Sequence, residues 1–392
     1  MLKLGSNRSV IRELFEFGKQ LAAKEGPEKV FDFSIGNPST PAPEEVRQAL
    51  IDITAAGEGA SAHGYTSAQG APDARKAIAD NLNARFETSF GADELYLTCG
   101  AAASLCISMR ALLTEETDEI ATFAPYFTEY KVFAESCGGR LVPIDTDPNS
   151  GFIPNEEYLR KALSPKTAAL LINSPNNPCG VVYSEDTISM IAKVLEEKSQ
   201  EYGHTIYLIS DEPYREITYG SVKAPFVTKY CKNAIVCYSY SKSLSLPGER
   251  IGYVLVPKEA DDSQELYAAV CGAGRSLGYI CAPVTFQKLI TRCAGLTADI
   301  SSYEKNRNLL LNGLTELGFE CVRPDGAFYL FVKSPEEDSK AFSDKAKQHG
   351  VLIVPADDFG APGYVRIAYC VAEKTIRNSM PAFKKIAEEY GL

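Results

Sequence analysis

Ala234-Ile235-Val236-Cys237-Tyr238-Ser239-Tyr240-Ser241-Lys242-Ser243-Leu244-Ser245-Leu246-Pro247-Gly248-Glu249-Arg250-Ile251-Gly252-Tyr253 is the stretch from which the rest of the chain can be read. Residues 234–238 are continuously apolar, as a strand buried on both faces should be. That run leads into small hydroxyl residues around Lys242, and Arg250 follows just after a Pro-Gly turn. A lysine amine placed where water is scarce has a lowered pKa and attacks carbonyls. Serine hydroxyls and an arginine suit a phosphate. Together these groups describe a Schiff-base lysine beside a phosphate-bearing aldehyde, which is pyridoxal 5′-phosphate. The competing reading is a solvated loop with a stray lysine, since lysines are mostly exposed.

Working outward, short apolar runs alternate with helical patterns from about residue 93 to 256. Strands are predicted at 94–98, 119–123, 140–144, 168–172, 205–209, 234–238 and 253–256, with helical patterns such as 184–202 between them. This βα alternation predicts an α/β fold on a mostly parallel sheet. The ends read differently. Ser9 is placed to cap an amphipathic helix through about Lys24, with Val10, Ile11, Leu14, Phe17 and Leu21 on one stripe. After Pro283 a long helical stretch is predicted to about Leu317, then a strand at 327–332, a helix at 339–349, strands at 351–354 and 364–369, and a last helix from about Glu373. The expected organisation is a large cofactor-binding domain, 39–283, and a smaller α+β domain formed by both termini, 1–38 and 284–392.

Composition narrows the partners. The 392 residues are 45% hydrophobic and 23% charged, ordinary values for a soluble globular protein with room for two domains. A net charge of −11 argues against nucleic acid or an anionic membrane surface. No stretch approaches the about 20 apolar residues of a spanning helix. The first residues lack a signal-peptide apolar run. The 11 cysteines form no Cys-x-x-Cys pair, which fits free thiols in a reducing cytoplasm, the expected location. With three scattered histidines, neither a His/Cys metal site nor a Ser-His-Asp triad is supported, and no metal is expected.

Ligands of open α/β sheets bind outside the carboxyl ends of the strands, and the polar residues collect there. The first predicted strand runs into Cys99-Gly100-Ala101-Ala102-Ala103-Ser104 and an apolar helix. Small residues there let backbone N–H groups approach a phosphate, or simply allow tight packing. The strand at 168–172 ends in Asn173-Ser174-Pro175-Asn176-Asn177-Pro178-Cys179-Gly180, which is turn chemistry that also offers an amide to a ligand oxygen. The strand at 205–209 ends in Ser210-Asp211-Glu212-Pro213-Tyr214. There Asp211 is either a helix cap or the partner of a pyridine nitrogen, whose protonation makes the ring an electron sink. A phosphate cradle, an amide, an acid and a lysine at successive strand ends are hard to explain as unrelated turns.

Taken together the chain resembles the class I/II, fold-type I pyridoxal-phosphate-dependent aminotransferases, the aspartate aminotransferase-like group. The resemblance rests on Ser34-Ile35-Gly36-Asn37-Pro38, Tyr65-Thr66-Ser67-Ala68-Gln69-Gly70, Gly100-Ala101-Ala102, Pro125-Tyr126-Phe127, Asn176-Asn177-Pro178, Asp211-Glu212-Pro213-Tyr214, Ser241-Lys242 through Arg250, Pro324-Asp325-Gly326-Ala327-Phe328-Tyr329 and Arg366, in that order over nearly the whole chain. It implies that Lys242 holds the cofactor, that Asp211 pairs with the pyridinium nitrogen, and that Asn177 and Tyr214 bond its phenolic oxygen. Phe127, in preference to Tyr126, would stack on the ring. The Ala101 and Ala102 N–H groups, Ser239 and Arg250 would hold the phosphate, and Tyr65 would reach the phosphate of a neighbouring subunit, so a homodimer is expected. Arg366 would clamp the substrate α-carboxylate, with Gly36 leaving room beside it. Cys179 departs from the Thr or Ser usual in this motif.

The implied reaction is transfer of an amino group from an L-amino acid to a 2-oxo acid by a ping-pong mechanism, in the manner of the transaminases of EC 2.6.1 type. Two alternatives use the same residues: a carbon–sulfur β-lyase, and a non-catalytic cofactor-binding regulator. For the substrate side chain, Arg275 and Lys131 are candidates to meet a distal carboxylate, whereas Tyr126, Tyr130 and Tyr279 would shape an apolar pocket.

Overall fold

Gly252–Leu255 is the one reversed strand in a seven-stranded sheet, and its reversal matters for the site. From edge to edge the order is Leu95–Thr98, Gly252–Leu255, Ala234–Ser239, Tyr207–Asp211, Thr167–Asn173, Glu119–Phe123 and Arg140–Ile144. Gly252–Leu255 is antiparallel to both neighbours, and every other adjacent pair is parallel. The computed structural model describes residues 2–6, 10–56 and 63–392.

The central strands are buried on both faces because helices cover both. Leu170, Ile172, Leu208 and Val236 face one apolar cluster, while Ala169, Leu171, Ile209 and Ile235 face another. The alternation of strand side chains sends successive residues to opposite layers, which is why these runs read as continuously apolar. Helix Glu185–Tyr202 shows the same logic at 3.6-residue period. Ser184 caps it, its side chain accepting from the Thr187 N–H at 3.1 Å; Ile188, Ile191, Val194 and Leu195 are buried; and Gly203, at φ 77°, ends it.

A second, antiparallel sheet has the order Val354–Pro355, Tyr364–Ala368, Tyr329–Lys333, Cys321–Val322. Near it Phe31–Asp32 pairs in parallel with Val351–Leu352, so the N-terminal segment is hydrogen-bonded to the C-terminal part of the chain. Helices Ser301–Glu316, Ser339–Gln348 and Glu373–Tyr390 close an aromatic-rich core around this sheet, including Phe33, Phe319, Phe328, Phe342 and Phe383. Among the described residues no helix is long and apolar enough to cross a membrane.

Three expected elements come out differently. The long helical stretch after Pro283 is two helices, Val284–Cys293 and Ser301–Glu316, and the first packs on Glu44–Ala55 and Pro72–Phe86. The expected strand at 351–354 is two short ones, because Val351–Leu352 pairs with Phe31–Asp32 whereas Val354–Pro355 pairs with Tyr364–Ala368. The strand expected from 327 starts at Tyr329, since Ala327 sits at φ 55° with its N–H given to the Ile217 carbonyl. The amphipathic helix near the N-terminus runs Val10–Glu25; its expected cap, Ser9, lies outside the described residues.

Candidate active site

Sheet register assembles the site sideways. Asn173 lies opposite Asp211, and Asp211 opposite Cys237, two residues before Ser239. Ser239 and Thr98 both lie opposite Gly252. Because Gly252–Leu255 runs backwards, it starts at the end of the sheet where its neighbours finish. Arg250, just before that start, therefore reaches the same end as Asn173, Asp211, Ser239 and Gly100. A Cβ at Gly252 would overlap the Tyr238 carbonyl oxygen, so this crossing needs glycine.

The polar cradle is built from Gly100, Arg250 and the loop before Lys242. Helix Ala101–Leu112 opens at Gly100, φ 89°, where a Cβ would lie 2.9 Å from Arg250 Nη2. The free N–H groups of the first helical turn thus face a guanidinium at close range, an arrangement suited to a phosphate. Arg250 holds a left-handed conformation, φ 52°, and donates to the Pro247 carbonyl at 2.9 Å. Strain of roughly 1 kcal/mol or more in a non-glycine residue is characteristic of functional sites. Ser239 caps the short helix Tyr240–Ser243, accepting from the Ser241 N–H at 3.1 Å, and its Oγ lies 2.6 Å from Ser241 Oγ.

Lys242 is half-buried and donates from Nζ to the Gly36 carbonyl at 2.7 Å. Loss of water around the amine, with Arg250 and Arg366 nearby, pushes its pKa down to about 8 against the weaker opposing pull of the Cys370 thiol. A neutral amine, the form that attacks carbonyls, is therefore accessible near neutral pH. Gly36 must lack a side chain, since a Cβ would overlap the Tyr329 hydroxyl. Asp211 is buried, and burial pushes its carboxyl up to about 7; the Glu212 charge adds to the rise, and a bond from Tyr130 opposes it. Its Oδ1 has no hydrogen-bond partner among the described residues.

Arg366 is only 2% exposed, not the surface arginine that a strand position would allow. Its guanidinium lies over the rings of Tyr329, at 4.7 Å, and Phe359, at 5.1 Å. Nη2 donates to the Ser34 carbonyl at 2.6 Å, Nη1 to Asn177 Oδ1 at 3.0 Å, and Nε is buried with no partner among the described residues. With its oxygen accepting from Arg366, the Asn177 side chain keeps its amide N–H donors for a ligand. Tyr214 shares a hydroxyl–hydroxyl hydrogen bond of 2.9 Å with Tyr329.

A cavity of about 340 Å³ gathers Gly36, Ala101, Ala102, Phe127, Asn177, Asp211, Tyr214, Ser239, Lys242, Arg250 and Arg366. Tyr126 lines an adjoining cavity instead. Tyr65 is the one predicted site residue that this chain does not bring in: it is 98% exposed. Ser241, Tyr329 and Asn173, not predicted as site residues, line the same cavity. Ser241 carried a signal, since it adjoins Lys242, and so did Asn173, which ends its strand beside Asp211. Tyr329 closed a family motif without a role attached. Cys179 donates from Sγ to Asn176 Oδ1 at 3.0 Å, the bond a hydroxyl there would make.

These residues fit pyridoxal phosphate. A buried carboxylate oxygen stands unpaired where a protonated ring nitrogen would answer it, and a glycine-opened helix end faces an arginine where a phosphate would sit. The family described as Aminotransferase class I and II matches residues 28–383. An aspartate/prephenate aminotransferase of Thermus thermophilus is 30% identical over 357 residues, covering 90% of this chain and 89% of its own. An aromatic-amino-acid aminotransferase 2 of Thermococcus litoralis is 28% identical over 407 residues, covering 98% and 96%. A solved amino transferase from Eubacterium rectale superposes with a TM-score of 0.98 at 57% identity, over 100% of this chain and 98% of that one. The aspartate aminotransferase of Thermus thermophilus with maleate does so with a TM-score of 0.84 at 26% identity, over 97% of each.

The chain belongs to the class I and II aminotransferases. It is a pyridoxal-phosphate-dependent enzyme that moves an amino group from an amino acid to a 2-oxo acid in two half-reactions.

Proposed function

We propose a division of labour among this chain's residues. Lys242 carries the cofactor. Its amine would also take the proton from the substrate α-carbon and return one, serving as base and then acid. When bound, pyridoxal phosphate supplies the electron sink that makes this α-proton acidic. Asp211 would meet the ring nitrogen with Oδ1, Asn177 and Tyr214 would donate to the phenolic oxygen, and Phe127 would pack on the ring. The Ala101 and Ala102 N–H groups, Ser239 and Arg250 hold the phosphate. Arg366 clamps the substrate α-carboxylate in a planar pair and so fixes the direction of the Cα–H bond relative to Lys242. Gly36 leaves the clearance this needs.

One observation carries this reading: an amine depressed to about 8, an unpaired buried carboxylate oxygen and a fully buried arginine all line one cavity. The rest of that lining supports amino acids with apolar or aromatic side chains as the preferred substrates. It includes Ile11, Ile35, Leu105 and Phe133, and among the described residues its cations are Lys242, Arg250 and Arg366. Lys131 instead sits 3.9 Å from Glu135 and lines the adjoining cavity. Single-turnover conversion of the loaded enzyme by a panel of amino acids tests both parts. Phenylalanine or leucine should convert the cofactor faster than aspartate at equal concentration. Faster conversion by aspartate, after which relatives are named, would overturn the substrate class. Pyruvate and ammonia released without any 2-oxo acid would overturn the transaminase reading in favour of a β-lyase.

The chain works as a cytoplasmic homodimer in this proposal, with Tyr65 of each subunit serving the neighbouring site. The near-complete exposure of Tyr65 supports it. The division into a large unit, 39–283, and a small unit, 1–38 with 284–392, is supported by the aromatic-rich core around the antiparallel sheet, which Tyr214, Ile217 and Tyr219 of the large unit also join. Helix Val284–Cys293 packs on Glu44–Ala55 and Pro72–Phe86, and its Leu289, Ile290 and Cys293 join the core of the large sheet.

A further inference from the structure

Behind the cavity, Tyr130 donates from its phenol to Asp211 Oδ2 at 2.6 Å, and both residues are buried, at 1% and 5% exposure. We propose that Tyr130 is a positioning residue that aims Asp211 Oδ1 at the cofactor's ring nitrogen and holds the carboxylate in its charged form. The inference rests on the assignment of Asp211 to that nitrogen.

Each oxygen of the carboxylate has one job open to it. Oδ2 is taken by the phenol, and Oδ1 has no partner among the described residues. A carboxylate with both oxygens free would swing about its terminal bond; one pinned oxygen fixes the direction of the other. The backbone beneath is fixed as well, since Asn173 Nδ2 donates to the Asp211 carbonyl at 2.8 Å. Tyr130 is itself held, its ring meeting Phe127 edge to face at 5.7 Å and its N–H donating to the Phe127 carbonyl at 3.0 Å. One short segment thus delivers Phe127 to the cavity wall and Tyr130 to the acid behind it.

The charge balance needs this donor. Burial pushes the Asp211 carboxyl upward, and of the groups facing it the phenol is the one that lowers it. Glu212, beside it in the chain, raises it, although Glu212 is itself paired with Arg215 at 3.0 Å. The Cys237 thiol on the adjoining strand is held to Ser108 at 3.3 Å, and the Tyr214 and Tyr183 phenols nearby are not cations. A hydrogen bond to an ionised acceptor is worth more than one to a neutral partner.

The test uses holoenzyme of wild type, Tyr130→Phe, Asp211→Asn and the double variant, with pyridoxal phosphate affinity measured from pH 5.5 to 9. Phenylalanine keeps the ring and its contact with Phe127 and removes the donor alone. In Tyr130→Phe the affinity at pH 7 should fall roughly tenfold, and the acid-side loss of affinity should begin at higher pH than in wild type. In Asp211→Asn the second substitution should add little, since the two act as one unit. An unchanged pH profile in Tyr130→Phe would overturn the inference, even if affinity fell. So would fully additive losses in the double variant. Unchanged affinity in Asp211→Asn would remove the assignment of Asp211 and the inference with it.

Discussion

Arg366 and Asn177, 189 residues apart in sequence, are joined side chain to side chain, Nη1 donating to Oδ1 at 3.0 Å. The bond crosses from the antiparallel sheet, where Arg366 lies opposite Phe331 and Val354, to the loop after strand Thr167–Asn173. It orients the guanidinium in the cavity and turns the Asn177 donors toward whatever the cavity holds.

Replacing Arg366 by lysine keeps the charge but loses the planar fork. The KM for the amino acid should rise roughly a hundredfold or more if a bidentate carboxylate contact is lost, with pyridoxal phosphate affinity nearly unchanged. Half-reaction kinetics together with equilibrium dialysis separate the two effects. A fall in cofactor affinity with unchanged KM would contradict the assignment.

Gly36→Ala would bring a methyl group onto the Tyr329 hydroxyl. The variant should lose most of its turnover, and a second change, Tyr329→Phe, should restore part of it by removing the oxygen. Steady-state rates of the single and double variants check this. A double variant no better than Gly36→Ala would show that the clash is not the cause.

Stability should depend on pH through Asp211. Its carboxyl is raised from 3.8 to about 7 in the folded chain, so the folded state binds the proton more tightly than the unfolded one. That contribution is present below about pH 4 and is lost as pH rises toward 7. Asp211→Asn removes the loss, and the cofactor-free variant should exceed wild type by on the order of 4 kcal/mol above pH 7. The gap should shrink as pH falls toward 4. Urea unfolding at pH 5 and pH 8 would show it; a gap independent of pH would count against the buried, uncompensated charge.

Much of the large sheet was legible because its strands, apart from the edge strand Arg140–Ile144, are almost wholly buried and so stand out as apolar runs. Lys242, Asp211 and Arg250 were legible for a related reason: polar residues at the ends of such runs have little other business there. The break between Val284–Cys293 and Ser301–Glu316 was missed because both pieces carry helical periodicity and only Gly295 and Asp299 hint at the gap. The split at Ile353 depends on pairing with Phe31–Asp32, over 300 residues away, which no local pattern reports. The same holds for the bond between Tyr130 and Asp211. Tyr130 reads as core or pocket wall, and only the folded sheet brings its phenol to the acid.

The oligomer can be checked without chemistry. Sedimentation should give the mass of two chains, and Tyr65→Phe should weaken cofactor affinity without changing that mass. A monomer with full cofactor affinity would contradict the role given to Tyr65.

The central claim is that Lys242 carries the cofactor, and borohydride reduction of the holoenzyme followed by peptide mass spectrometry tests it most directly. A pyridoxyl phosphate adduct should be found on the peptide containing Lys242 and be absent from Lys242→Arg treated in the same way. An adduct on another lysine of the wild-type enzyme, or transamination retained in Lys242→Arg at the wild-type rate, would contradict it.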